Sequence, residues 1–141
     1  MDKNISSTLS DTPVSIRTKL AGMWASVVLC YLYGDFFGLF RTSKLDQILQ
    51  GYGPFGPVTQ ETLLTVSVIM VVPCLMVFLS LLLKATLCRW LNLAVAAAFI
   101  PFVTATIMAT SWYFYMFLGV VEILLKAIIV WLAWNWPRHS A

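Results

Sequence analysis

The chain has 141 residues, of which 60% are hydrophobic and only 11% are charged. Soluble domains carry roughly 25% charged residues, so this composition excludes an ordinary soluble fold and predicts a lipid environment. The net charge of +3 is set by tails and loops. Without a basic cluster it indicates orientation in a membrane and excludes a nucleic-acid partner.

A polar tail and a long apolar helix come first in chain order. Residues 1–16 are rich in short polar side chains, which predicts a disordered tail. The apolar stretch over 18–40 is long enough to span a bilayer and lacks a small-residue cleavage site. We therefore expect it to stay in the protein as the first transmembrane helix. Asp35 interrupts this stretch near its end.

The segment 41–59 is the only sizeable loop of the chain. Ser43 and Asp46 have the spacing of a capping box, and the apolar residues that follow share one helical face. The pattern predicts a short interfacial helix over 44–50, followed by a rigid glycine–proline turn. A lid over the mouth of a cavity is the functional alternative for this helix.

Three further apolar stretches predict transmembrane helices over 60–83, 90–110 and 112–134. Lys84 and Arg89 bracket a tight turn between the second and third of the four helices. The break before the last helix is short, so the last two helices should be antiparallel neighbours.

Basic residues predict the orientation of the four spans. Both chain ends, including the tail 138–141, fall on one side together with the turn between the second and third helices. That side has six Lys and Arg residues and the other has two. The six are Lys3, Arg17, Lys19, Lys84, Arg89 and Arg138, and the two are Arg41 and Lys44. The positive-inside rule then places both termini in the cytoplasm. The predicted fold is all-α, an antiparallel four-helix transmembrane bundle over 17–137.

Two prolines lie near the middle of predicted helices, Pro73 in the second and Pro101 in the third. Each removes a backbone hydrogen bond, which is typical of a structural kink. Alternatively, two facing kinks widen the bundle into a pocket. Pro101 also belongs to a row of small residues that we expect to be the packing seam of the bundle, with a dimer face as the alternative. The other members of the row are Ala94, Ala98, Ala105 and Ala109.

Ionisable side chains inside the predicted spans are the best pointers to function, because each costs roughly 2.5–3.5 kcal/mol in hydrocarbon. Glu122 and Lys126 are four residues apart on one face of the last helix. A rise of 1.5 Å per residue places Asp35 roughly 22 Å and Glu122 roughly 18 Å from the inner edge. The two carboxylates can therefore share one layer of the bundle.

Two interpretations of these residues stay open. In the first, Glu122 and Lys126 neutralise each other, while Asp35 reaches interfacial water or the hydroxyl of Tyr31 or Tyr33. In the second, Asp35, Glu122 and Tyr31 line a polar cavity beside Lys126 that binds a proton, a cation or a polar headgroup. The predicted spans contain no histidine, no GxSxG motif and no metal-ligand cluster. We therefore expect neither a metal nor a cofactor.

Short motifs in a fixed order link the chain to a known family. The motifs are Lys19, Leu20, Trp24, Tyr31, Tyr33 and Asp35, then Met76 and Ser80, then Arg89, Trp90 and Asn92, and finally Tyr113, Phe117, Glu122, Trp131, Ala133, Trp134 and Trp136. In these positions the chain resembles domain-of-unknown-function family 6326 over residues 17–137. The resemblance implies a small four-helix integral membrane protein, mostly from bacteria, and implies no reaction. We expect the protein in a bacterial inner membrane. Lys126 departs from the family, where an apolar residue is expected.

Three hypotheses about function follow. The first is a non-enzymatic membrane protein that binds a small amphiphile, or passes a proton or solute, at a pocket lined by Asp35, Glu122 and Tyr31. Arg89 and Asn92 are then structural. The second is an accessory subunit whose polar residues hold a partner membrane protein or a second copy. The third is a membrane enzyme that uses the two carboxylates as an acid–base pair.

Overall fold

The structure is a computed structural model that describes residues 12–42, 44–53 and 56–137. Four helices of this described part are long and apolar enough to cross a membrane. They are α1 (Ile16–Gly38), α3 (Gln60–Leu82), α4 (Ala85–Met108) and α5 (Tyr113–Trp134). A short helix α2 (Lys44–Leu49) and an antiparallel pair of two-residue strands, β1 (Tyr52–Gly53) and β2 (Gly56–Pro57), link α1 to α3. The predicted all-α four-helix fold is confirmed.

Some predictions fall on residues outside the described part. They are the tail over 1–11, the capping residue Ser43 and the C-terminal tail 138–141. Of the predicted tail 1–16, residues 12–15 are described and are not helical, whereas Ile16 is already the first residue of α1. The helix α1 begins at Ile16, two residues before the predicted start.

Side-chain caps explain where two of the long helices begin. The hydroxyl of Ser15 accepts a hydrogen bond of 3.2 Å from the backbone N–H of Thr18, which satisfies a free donor of the first turn of α1. At α3 the capping is reciprocal. Thr62 N–H donates to the Thr59 hydroxyl at 3.2 Å, and Thr59 N–H donates to the Thr62 hydroxyl at 2.9 Å. Both starts are therefore set by local sequence.

The helix α4 begins at Ala85, five residues before the predicted start at residue 90. Two extended residues, Leu83 with ψ 153° and Lys84 with ψ 147°, are enough to reverse the chain. Arg89 therefore lies inside α4 and does not bracket the turn. Its charge does not break the helix, because its guanidinium reaches the carbonyl oxygens of Ala133 and Trp134 at the end of α5, at 3.1 and 3.4 Å.

The helices pack unevenly along the bundle. The first helix packs against α3 and α5, and α5 packs against α4, whereas α3 and α4 share few contacts. The buried core lies in the half that contains the start of α1 and the turn between α3 and α4, which we call the closed half. Its members are Leu20, Trp24, Val27, Met76, Ala96 and Ile129. The other half, with the end of α1 and the turn between α4 and α5, is the cavity half.

The row of small residues on α4 is not the packing seam of the bundle, so that prediction is wrong. Its members Ala94, Ala98, Pro101, Ala105 and Ala109 are all exposed on the outside of the helix. The inward face instead carries Asn92, Ala96 and Val103. Asn92 determines this rotation, because its amide must find hydrogen-bond partners inside the bundle and Ala94 lies about 200° away around the helix.

The two prolines do not face each other across the bundle. Pro73 is buried against the neighbours of α3, whereas Pro101 points outward from α4. Neither residue lines the cavity described below. The hypothesis of a pocket between two facing kinks is therefore wrong. The space lies instead between all four long helices, of which α3 and α4 share few contacts.

Gly119 allows α4 and α5 to approach closely. A Cβ at this position would lie 2.5 Å from Cγ1 and 2.6 Å from Cδ1 of Ile107. We expect Gly119→Ala to destabilise the protein by about 1–3 kcal/mol, since overpacked cores must shift side chains or backbone. Gly34→Ala is the matched control, because its Cβ would lie no closer than 3.7 Å to any neighbour. Equal unfolding free energies for the two variants in lipid nanodiscs would contradict this account.

Candidate functional site

The cavity half contains a cavity of about 340 Å³ between the four long helices. The helix α1 supplies Tyr31, Gly34 and Asp35, and α5 supplies Tyr115, Gly119 and Glu122. Apolar side chains of α3 and α4 form the facing wall, and the link from α1 to α2 covers the end. These wall residues are Leu63, Val66, Met70, Phe102 and Val103. The cavity is therefore largely apolar, with polar groups at defined places.

The floor of the cavity is a buried ion pair on α5. Lys126 Nζ donates to Glu122 Oε2 at 3.3 Å, and the two side chains are 0% and 7% exposed. Lys126 Nζ also lies 4.9 Å from the centre of the Tyr31 ring. Glu122 lines the cavity, but Lys126 lies one turn deeper and does not. Lys126 thus neutralises the charge of Glu122 from the deeper side, because a buried carboxylate needs a counter-charge.

The hydroxyl of Tyr31 is buried and has no hydrogen-bond partner in the described part of the chain. Leaving such a group unpaired costs roughly 1–3 kcal/mol, so buried hydroxyls in native proteins are nearly always satisfied. Tyr31 lines the cavity beside Glu122. A polar group of a molecule in the cavity can supply the missing partner.

Asp35 lies one helical turn above Tyr31 on α1 and lines the same cavity as Glu122. Its side chain is exposed at the surface of the bundle and interacts electrostatically with Lys44. It forms no hydrogen bond with Tyr31, whose hydroxyl is unpartnered. Tyr33 lies on another face, where its ring stacks on Phe37. The structure therefore brings the two carboxylates to one cavity, at different depths.

The mouth of the cavity carries two cations that the sequence analysis used only as markers of orientation. Arg41 and Lys44 both line it, and the Arg41 guanidinium carbon lies 5.2 Å from the centre of the Trp112 ring. This cation–π contact fixes the guanidinium against the turn between α4 and α5. The sequence contained a signal that could have identified Arg41 and Lys44 as site residues, because they are the only two cations predicted on their side of the membrane.

Asn92 and Arg89 lie in the closed half, away from the cavity. The indole N–H of Trp24 donates to Asn92 Oδ1 at 2.7 Å, and Asn92 Nδ2 donates to the Cys88 carbonyl at 2.8 Å. Asn92 Nδ2 also lies 3.3 Å from the hydroxyl of Ser80 on α3. This network joins α1, α3 and α4, and Arg89 joins α4 to the end of α5. Most of these contacts are between helices, and the Asn92–Cys88 hydrogen bond lies within α4.

Metal-binding side chains do not cluster in the described residues, where no group of three or more His, Cys, Asp or Glu residues could hold an ion. The cysteines are separate from one another. Cys30 lines the cavity, Cys74 is exposed, and the buried Cys88 donates to the Ser80 carbonyl at 3.4 Å. The site offers carboxylates, cations, the Cys30 thiol and two phenols, those of Tyr31 and Tyr115.

Comparison with known proteins gives one informative result. No curated protein and no solved structure matches this chain. The sequence profile of a family of unknown function, DUF6326, matches residues 14–141, which covers all four long helices and every residue of the cavity. The chain is a multi-pass integral membrane protein, and it belongs to the DUF6326 family.

Proposed function

We propose that this protein binds a small amphiphile in the cavity formed by α1, α3, α4 and α5. The observation that carries this proposal is the buried Tyr31 hydroxyl, which lacks a partner in the described residues and belongs to a residue that lines a largely apolar cavity together with Glu122. Small-molecule sites combine such apolar walls with a few convergent polar groups. Asp35, Glu122 and Tyr31 are the binding residues, and Lys126 is the buried counter-ion of Glu122.

Packing in the closed half favours binding over passage of a solute. Leu20, Trp24 and Ile129 are each 0% exposed and fill the bundle between the cavity and the far end of the helices. Lys126, also 0% exposed, lies between this core and Glu122. A molecule that enters the cavity therefore meets a packed core at the closed half.

The proposed location is the bacterial inner membrane, with both termini in the cytoplasm. Six Lys and Arg residues on the side of the termini against two on the other side support this orientation. The cavity half then lies in the outer leaflet. Amphiphiles can reach it from the leaflet or from outside the cell, since α3 and α4 share few contacts.

Filling the cavity with a large side chain tests the proposal. Val66 lines the cavity, whereas Val68 on the same helix is 58% exposed on the outer surface. The probes are decanoate, decylamine and decanediol, which share a chain length and differ in charge. We expect at least one of them to stabilise the wild type and Val68→Trp in lipid nanodiscs, and none to stabilise Val66→Trp. The expected gain is about 2.7 kcal/mol when free probe is roughly a hundredfold above its Kd.

Either of two results argues against a cavity ligand. The first is that no probe stabilises the wild type. The second is that a probe stabilises Val66→Trp as much as Val68→Trp, which places its effect in the surrounding lipid. Empty nanodiscs, titrated in parallel, measure the partition of each probe into the bilayer.

A further inference from the structure

The mouth of the cavity has an excess of positive charge. Arg41 and Lys44 both line it, and neither lies within 4.0 Å of a carboxylate oxygen in the described residues. Asp35 is the nearby acid and offsets one of the two charges through its interaction with Lys44. One net positive charge remains, and Arg41 is already positioned over Trp112. An anionic group is the natural partner for this place, because guanidinium groups bind carboxylates and phosphates in a fixed geometry.

The floor of the cavity requires a different chemistry. The Tyr31 hydroxyl is unpartnered, and Glu122 uses Oε2 for Lys126 while Oε1 forms no hydrogen bond to the described part of the chain. With Lys126 beside it, Glu122 contributes no net charge to the floor. A neutral hydroxyl of the ligand fits both groups, since it can donate to Glu122 and accept from Tyr31 at once.

The distance between the two ends limits the size of the ligand. Along α1 the cavity extends from Tyr31 at the floor to Gly38 beneath the mouth. Seven residues at 1.5 Å each separate these levels by roughly 10 Å. The wall between them is formed by apolar side chains such as Met70, Phe102 and Leu118. A ligand that satisfies both ends therefore needs an apolar body about 10 Å long.

We infer that the ligand is an amphiphile with polar groups at both ends, an anionic group held by Arg41 and Lys44 and a hydroxyl held by Tyr31 and Glu122. This inference rests on the proposed function and names its ligand class. The carboxylate or phosphate belongs to a lipid of the leaflet or to a free molecule, and the chemistry at the mouth is the same for both.

Isothermal titration of the full-length protein in nanodiscs tests the two ends separately. The probes are ω-hydroxydecanoate, decanoate and decanediol. We expect ω-hydroxydecanoate to bind about tenfold more tightly than either of the others, because each lacks one of the two polar groups. Tyr31→Phe keeps the ring against Lys126 and should remove the advantage over decanoate. Arg41→Gln combined with Lys44→Gln should remove the advantage over decanediol, while Lys84→Gln, far from the cavity, should change neither.

The outcomes distinguish the inferred ligand class from the proposed function of binding a small amphiphile. If decanoate or decanediol binds as tightly as ω-hydroxydecanoate and this binding is lost in Val66→Trp, the cavity is a ligand site but the inferred ligand class is wrong. If none of the three probes binds, or all bind Val66→Trp unchanged, both the ligand class and the binding function are wrong. If ω-hydroxydecanoate binds only after exchange into nanodiscs of neutral lipid, anionic lipid competes for the site and the ligand is a lipid. If anionic lipid does not compete with ω-hydroxydecanoate, the ligand is a free molecule.

Discussion

Replacing Glu122 with glutamine is expected to lower the free energy of unfolding by about 3 kcal/mol. The reason is the Lys126 ammonium, which is 0% exposed and donates a 3.3 Å hydrogen bond to Glu122. Glutamine retains the shape of the side chain but removes the charge. The variant must then keep an uncompensated ammonium, or neutralise it, inside the bundle.

A double variant identifies the ion pair as the cause of this loss. Glu122→Gln combined with Lys126→Met removes both charges and keeps similar volumes, so we expect it to recover most of the lost stability, as buried pairs replaced by apolar residues often do. Unfolding free energies of wild type, both single variants and the double variant in one detergent form the cycle. Additive losses in the double variant would show that the two residues act independently.

The four spans followed directly from the sequence because the bilayer leaves few alternatives. A stretch of about 20 apolar residues in lipid must satisfy its backbone by forming a helix. The structure places these helices at Ile16–Gly38, Gln60–Leu82, Ala85–Met108 and Tyr113–Trp134. The largest difference is at the start of α4. A charged residue such as Arg89 predicts a turn, but its long side chain can stay in a helix and reach polar partners.

The rotation of α4 was not predictable from its small residues. In a soluble helix the polar face identifies the outside, but in lipid both faces of a helix are apolar and small residues on either face look alike. Asn92 was the informative residue, since a buried amide at this depth needs partners that lipid cannot supply. Its partners Trp24 and Ser80 come from other helices, and periodicity along α4 does not reveal them.

Part of the candidate site was predictable, because a polar or charged group inside a membrane span stands out in the sequence. Asp35 and Glu122 were visible because charges in a span are costly. Their common cavity depends on how the four helices pack, with few contacts between α3 and α4, which no local pattern encodes. Arg41 and Lys44 were missed because cations at the end of a span have a sufficient explanation in topology, and only the packed structure shows that they line the cavity.

Replacing Asn92 with leucine is the second change with a large expected effect, a loss of about 2–4 kcal/mol in the free energy of unfolding. Asn92 is 0% exposed and accepts the 2.7 Å hydrogen bond from the indole N–H of Trp24. Leucine fills the volume but leaves that N–H and the nearby Ser80 hydroxyl in an apolar core. A buried donor without an acceptor costs more than the hydrogen bond itself contributes, because it has also lost its water.

The loss should depend on burial and not on the removal of an amide as such. Asn135 is the control, because its Nδ2 donates to the Trp131 carbonyl at 3.0 Å at an exposed position. Asn135→Leu should change the unfolding free energy by less than about 0.5 kcal/mol. Trp24→Phe combined with Asn92→Leu removes the stranded indole N–H and should be more stable than Asn92→Leu with Trp24 intact. A further loss in that double variant would show that Trp24 acts through its volume, and that the hydrogen-bond network does not hold α1 against α4.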